Sequence, residues 1–310
     1  MCWIHFLWRK AAVRWSCLTL LIGLALLMAN VWASSRPSGP EHGGRALSQW
    51  LEIYTDYSST SSGSPSTEEA AKAVRNIGTN AIPYLLGWIR YEQPAWRRWV
   101  GDIIPKLPMS LSHWLSDRSL FKAWGAVAGF EILGVESKSA IPGLTLLIND
   151  PEAGDSSRRA MRALAHMGDE GIQALLESVK NPAAPYRDKA LSEIGQAHTL
   201  GANINPAMPA ILRCLNDKDN LVNDGAWHIV IGRFALLEPQ MLLNNITNNL
   251  PNFDQAGQVT LLEVLSKLGE AARPAMPTVV GLLNCTNVET RNAATNALRK
   301  IAPERLKAYD

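Results

Sequence analysis

One apolar spacing recurs along most of the chain and decides what it can fold into. Ile82, Ile141, Ile172, Met208, Pro239 and Met276 each open a stretch with apolar residues at +3, +4 and +7. Ile82/Leu85/Leu86/Ile89, Ile172/Leu175/Leu176/Val179, Met208/Ile211/Leu212/Leu215 and Met276/Val279/Val280/Leu283 follow it fully. Pro239/Leu242/Leu243/Ile246 does too, and Ile141/Leu144/Ile148 follows it with Thr145 at one place. That spacing puts a single apolar stripe on each of six short helices. From Ile141 to Met276 the openings fall 31, 36, 31 and 37 residues apart, about 34 per step. A period of this size is the mark of a helical repeat array. A lone pair of short helices cannot bury its own stripe, so stacking on neighbours must do it.

Punctuation follows the same period. Pro83, Pro142, Pro209 and Pro277 stand one place after an opening residue, in the first helical turn, where a missing N–H costs nothing. Gly78, Gly134, Gly168 and Gly269 fall where the preceding helix must end in a left-handed residue. Asn149-Asp150, Asn181, Asn216-Asp217, Asn248-Asn249 and Asn284 follow the second helices and suit caps or turns. No stretch alternates like a strand.

These segments resemble a known family. EEAAKAVRNIGTNAIPYLLGWI, DSSRRAMRALAHMG, NPAMPAILRCLNDKDN and TRNAATNALRKIAP look like HEAT-type repeats of the compact bacterial, phycobilin-lyase-like variety. The resemblance covers residues 68–310. It implies an all-α fold, an α-solenoid coiled as a right-handed superhelix, with six to seven repeats. It also implies partner binding on the concave face, which the second helices line. The chain departs from the pattern in places. The step from Ile82 to Ile141 is 59 residues, so an insertion intervenes. Gln173 and Gln240 replace the proline in two repeats. The early arginine of the first helix is present as Arg158, Arg187 and Arg291, with Asn223 in its place once. Tetratricopeptide and ankyrin signatures are absent.

The repeats are preceded by two other regions. Residues 1–14, MCWIHFLWRKAAVR, carry Arg9, Lys10 and Arg14, and residues 15–33 are uncharged. A run of 19 such residues is near the ~20 that span a bilayer as a helix. The basic residues are expected on the cytoplasmic side, with everything after residue 33 beyond it. Val31-Trp32-Ala33 before Ser34-Ser35 also reads as a cleavage site, so a signal segment removed after Ala33 is the alternative. Residues 34–67 are expected to be a flexible Ser/Gly/Pro-rich spacer holding one short helix, with Leu47, Trp50, Leu51 and Tyr54 on one face and docked on the first repeat.

Charge and residue types narrow the function. The net charge of +2 becomes −1 once the three basic residues of the first 33 are set aside. That balance excludes a nucleic-acid partner held by a basic face. Cys214 and Cys285 read as buried free thiols, since no CxxC or Cys/His cluster accompanies them. The six histidines include no i, i+3 or i+4 pair, and no His-Glu dipeptide of a HEAT-type di-iron hydroxylase occurs. His166 and His198 end the first helices of adjacent repeats and read as cap residues. No GxSxG, phosphate loop or GxGxxG is present. No catalytic, cofactor or metal residue is assigned. The expected function is a non-enzymatic scaffold for a protein or peptide. The alternative is an enzyme, or an accessory subunit of one, of the lyase-like HEAT type.

Residues 88–108, WIRYEQPAWRRWVGDIIPKLP, are the candidate contact patch: Trp88, Trp96 and Trp99 stand among Arg90, Arg97, Arg98 and Lys106. Trp and Arg dominate binding hot spots. Trp96, Arg97, Arg98 and Trp99 are therefore the expected partner-binding residues. The structural alternative has the tryptophans packed on the first repeat and the arginines facing water.

Overall fold

The computed structural model describes residues 38–56, 66–101, 106, 108, 117–231 and 239–306. The expected membrane segment at 1–33 and the spacer residues 34–37 and 57–65 lie outside them. The described residues form two compact units that divide after Leu133.

The first unit opens with a hairpin of two two-residue strands, β1 (Glu41–His42) and β2 (Arg45–Ala46). Residues 41–46 of the expected spacer thus pair as a hairpin. Two residues per strand leave no alternation for the sequence to show. Helices α1 (Leu47–Thr55), α2 (Thr67–Ile77), α3 (Ile82–Ile89), α4 (Ala95–Gly101) and α5 (Arg118–Leu133) follow. Helix α1 packs on α2 and α5, as its Leu47/Trp50/Leu51 face requires, and α3 packs on α5. Helix α5 is a seat of small residues. A Cβ at Gly129 would stand 2.7 Å from Leu85 Cδ2, and one at Gly125 would stand 3.4 Å from Leu51 Cβ. Glycine there lets both leucines reach the helix backbone, which is tight interior packing.

The second unit holds α6 (Ile141–Ile148), α7 (Gly154–Ala165), α8 (Asp169–Lys180), α9 (Arg187–Thr199), α10 (Met208–Cys214), α11 (Asn220–Ile229), α12 (Pro239–Asn249), α13 (Gln255–Leu268), α14 (Met276–Gly281), α15 (Val288–Ile301) and the short α16 (Pro303–Leu306). First helices stack on first helices (α7 on α9, α9 on α11, α13 on α15), and second helices on second helices (α6 on α8, α10 on α12). This nearest-neighbour packing is that of an all-α solenoid.

Ile82, Ile141, Met208, Pro239 and Met276 each begin a helix, and Ile172 lies in the first turn and a half of α8. Their stripes form the core: Leu85, Ile89, Leu144, Ile148, Leu175, Val179, Ile211, Leu242, Ile246 and Val279 are fully buried. The four prolines occupy first turns. Gly78, Gly134, Gly168 and Gly269 all have positive φ, between 51° and 74°. Ser66, Asp219, Asp254 and Asn287 are side-chain caps, each accepting from a backbone N–H of the first turn. Of the cap or turn roles expected for Asp150, Asn181 and Asp217, the turn is the one adopted, in one repeated form. Their Oδ1 atoms accept from Glu152 N, Ala183 N and Asp219 N at 2.9, 3.1 and 3.0 Å.

Candidate functional site

The candidate patch is built around α4 and anchored at one carboxylate. Asp117 precedes α5, and its Oδ1 accepts from Leu120 N at 3.3 Å, the bond of an N-cap. Its Oδ2 accepts from Tyr91 Oη at 2.8 Å and Gln93 Nε2 at 3.4 Å, and lies 3.8 Å from Arg97 Nε. The Arg97 and Asp117 side chains are only 8% and 9% exposed. A charge pair this sheltered persists only when its remaining hydrogen-bonding capacity is met, and Tyr91, Gln93 and the cap supply that. The two ends of the insertion are therefore tied to one residue. Sequence reasoning missed Asp117, although an aspartate three places before Leu120 at the head of an apolar helix is a start signal.

The expected patch differs at one described position. Arg97 faces inward, and Trp96 is 48% exposed with the Arg97 guanidinium carbon 4.8 Å from its ring centre. Arg98 is exposed. Trp99 lies on α4, and its side chain is outside the described residues. The structural alternative fails here too, since Trp96 is not packed away and Arg97 does not face water. Trp88 is half-buried and meets the exposed Tyr84 ring at 6.2 Å and 56°. The outward surface of α3 and α4 therefore offers Tyr84, Trp96 and Arg98.

Elsewhere the polar side chains tie neighbouring repeats together. Arg187 donates through Nε to Val179 O at 2.9 Å and through Nη1 to Asp217 Oδ1 at 3.1 Å. The guanidinium holds the Asp217 carboxyl below its ordinary value. Asn223, the expected substitute, reaches the Leu215 carbonyl eight residues back, as Arg187 reaches Val179. Arg291 donates to Cys285 O and Thr286 O at 2.8 and 3.0 Å. Arg158 is a correction. Buried Ala160, Met161 and Leu164 match Ala190, Leu191 and Ile194, so Ser157, not Arg158, is the register partner of Arg187. Arg158 is exposed and bonds Asp155 Oδ1 at 3.0 Å.

Titratable groups in the repeats are tuned by burial. Burial, with Asp217 nearby, pushes the Cys214 thiol up to about 11, so it stays protonated and unreactive at neutral pH. Burial also raises Glu193, against the pull of Arg162 and Arg158. His166 caps α7, and His198 lies in the last turn of α9. Among the described residues, no group of three or more His, Cys, Asp or Glu is placed to hold a metal ion.

No curated protein matches the sequence. Among solved structures, an engineered protein matches 83% of this chain and 68% of its own length at 17% identity, with a TM-score of 0.27. A designed armadillo repeat protein in complex with a (KR)4 peptide matches 82% of this chain and 99% of its own at 16% identity, with a TM-score of 0.26. Residues 158–181, from the second turn of α7 through α8, match the family model of the PBS lyase HEAT-like repeat, and the chain carries a HEAT-like repeat there.

Proposed function

We propose that the protein is a non-enzymatic scaffold, held at the cytoplasmic membrane through residues 15–33 with its repeats on the extracytoplasmic side. It binds a protein or peptide partner through α4. The uncharged run behind Arg9, Lys10 and Arg14 supports the tether. The observation that carries the partner reading is Trp96: a tryptophan 48% exposed beside exposed Arg98, on a helix whose orientation Arg97 and Asp117 fix. Leaving that much indole in water has no folding benefit, and a large rigid ring on a preset helix is what a partner can bury. Arg97 is a positioning residue.

The test is recovery of a stoichiometric partner by the full chain from membrane extracts. The Trp96→Ala/Arg98→Ala variant should lower the unfolding temperature far less than Arg97→Ala and lose the partner; equal recovery rejects the reading. A reporter fused after residue 60 should be active outside the cytoplasm, and carbonate washing should leave the chain in the membrane. A new N-terminus at Ser34 would establish cleavage instead. The match of residues 158–181 to a lyase-type repeat favours a second reading, an enzyme or accessory subunit of that type. A chromophore or metal recovered with the protein would select it.

A further inference from the structure

The hairpin before α1 closes over a cavity that the scaffold reading does not use. Gly43 and Gly44, with φ of 56° and 76°, join β1 to β2. Two successive positive-φ residues are the signature of the tight turn that fits a twisted hairpin. The hairpin is fixed to α1 by Trp50 Nε1 donating to His42 O at 3.0 Å and by Leu47 N donating to Pro40 O at 2.9 Å. It meets α2 where Asn76 Nδ2 lies 3.3 Å from His42 Nε2. Between hairpin and α2 is an open cavity of about 320 Å³, whose lining includes His42, Arg45, Trp50, Glu69, Lys72 and Asn76.

The charges around it are unbalanced in a specific way. The Arg45 guanidinium carbon stands 5.1 Å from the Trp50 ring centre, which directs the charge along the cavity wall. Lys72 lies across from it on α2. Neither forms an ion pair among the described residues. Glu69, the acidic lining residue, leaves the lining with one positive charge in excess, and its Oε2 is held by Ser66 N at 2.7 Å in a capping box. Arg45 and Lys72, without an ion pair among the described residues, therefore line one cavity with the Asn76–His42 pair and the Trp50 ring. A planar fork, a point charge and a neutral donor together suit a tetrahedral oxyanion better than a flat carboxylate.

We propose that this cavity binds a phosphate group. A lipid headgroup and a free phosphate ester share that chemistry. The first residue lining the cavity, His42, stands nine residues after Ala33, and nine residues reach at most ~32 Å. If residues 15–33 span the bilayer, the hairpin lies within reach of the headgroups. This source rests on the membrane reading above, and the phosphate chemistry does not.

The test uses the full chain in mild detergent. Calorimetry with glycerol 1-phosphate at low ionic strength reads the cavity alone. Native mass spectrometry with phosphatidylglycerol against phosphatidylcholine reads the lipid source. Arg45→Gln/Lys72→Gln should weaken both by about tenfold or more, the size expected for losing charge-assisted hydrogen bonds. The unfolding temperature should hardly move, because both side chains are exposed, and Lys72→Arg should keep binding. Glycerol phosphate binding that the double variant loses, without preference for phosphatidylglycerol, establishes a phosphate site and rejects the lipid source. Loss of residues 1–33 by cleavage would defeat the membrane reading and leave the calorimetric arm intact. Absence of glycerol phosphate binding, or binding equal in the double variant, overturns the proposal.

Discussion

Arg187 and Asp217, thirty residues apart, make a two-bonded fork that joins one repeat to the next, Nη1 to Oδ1 at 3.1 Å and Nη2 to Oδ2. The same guanidinium closes the end of α8 through Val179 O. Arginine is suited to this because its planar fork meets a carboxylate with two bonds while Nε remains for a third. Asp217 also organises its own turn by accepting from Asp219 N. One residue pair thus sets the helix end, the turn and the stacking of two repeats.

Replacing Asp217 with Asn should cost about 2 kcal/mol at pH 7, the range for hydrogen bonds to charged groups. The sign with pH follows from the native carboxyl lying below its unfolded value. Its stabilisation is fully present above the unfolded carboxylate range, near pH 4, and is lost as pH falls through the native value. Urea unfolding of wild type and Asp217→Asn should therefore converge below about pH 4. A constant difference from pH 7 to pH 3 would mean that the fork is not what stabilises the junction.

The second prediction concerns the stripe. Leu176 is 3% exposed on α8 between Leu175 and Val179, both fully buried. Leu176→Asp would place an unpaired carboxylate there, and should destabilise by more than ~4 kcal/mol. Calorimetry should show the loss in the transition of the second unit. A variant within ~1 kcal/mol of wild type would mean the site relaxes to admit water.

The third prediction separates backbone strain from crowding. Gly78 (φ 61°, ψ −141°) and Gly168 (φ 74°, ψ −157°) occupy equivalent corners between paired helices. Side chains rarely tolerate that region, at a cost of roughly 1–3 kcal/mol. A Cβ at Gly78 meets nothing within 4 Å, whereas one at Gly168 lies 2.9 Å from Val135 Cγ1. Gly78→Ala should show the strain alone, and Gly168→Ala should cost more. Equal values would show that Val135 moves freely aside.

The openings at Ile82, Ile141, Met208, Pro239 and Met276 were legible because a helix, its stripe and its first-turn proline are all local in sequence. So were the glycine corners. The hairpin at Glu41–Ala46 was not, because two-residue strands carry no period. The inward turn of Arg97 was not either. Its partner is twenty residues away, and the local pattern Trp-Arg-Arg-Trp fits either face of a seven-residue helix. Arg158 shows the same limit in register: two adjacent arginines leave the choice to packing, and packing put Ser157 at the position that Arg187 holds in the next repeat.

The last prediction turns on α4, where two neighbouring residues should separate stability from binding. Arg97 is buried against Asp117, so Arg97→Ala leaves a carboxylate sheltered from water without its cation. Breaking such a pair costs about 3–5 kcal/mol, reduced here because Tyr91 and Gln93 still donate to Asp117. Trp96 is half-exposed and its ring stacks against the Arg97 guanidinium, so Trp96→Ala forfeits part of an indole's burial and one cation–π contact of about 0.5–1 kcal/mol. The expected order in thermal unfolding is Arg97→Ala well below Trp96→Ala, with Arg98→Ala indistinguishable from wild type. In partner recovery the order should change: Trp96→Ala and Arg98→Ala lose the partner directly. Arg97→Lys should lose it in part, because lysine keeps the charge but not the planar stack that orients the ring. If Trp96→Ala proves as destabilising as Arg97→Ala and Arg98→Ala binds normally, the indole is a structural prop and α4 is not the contact surface.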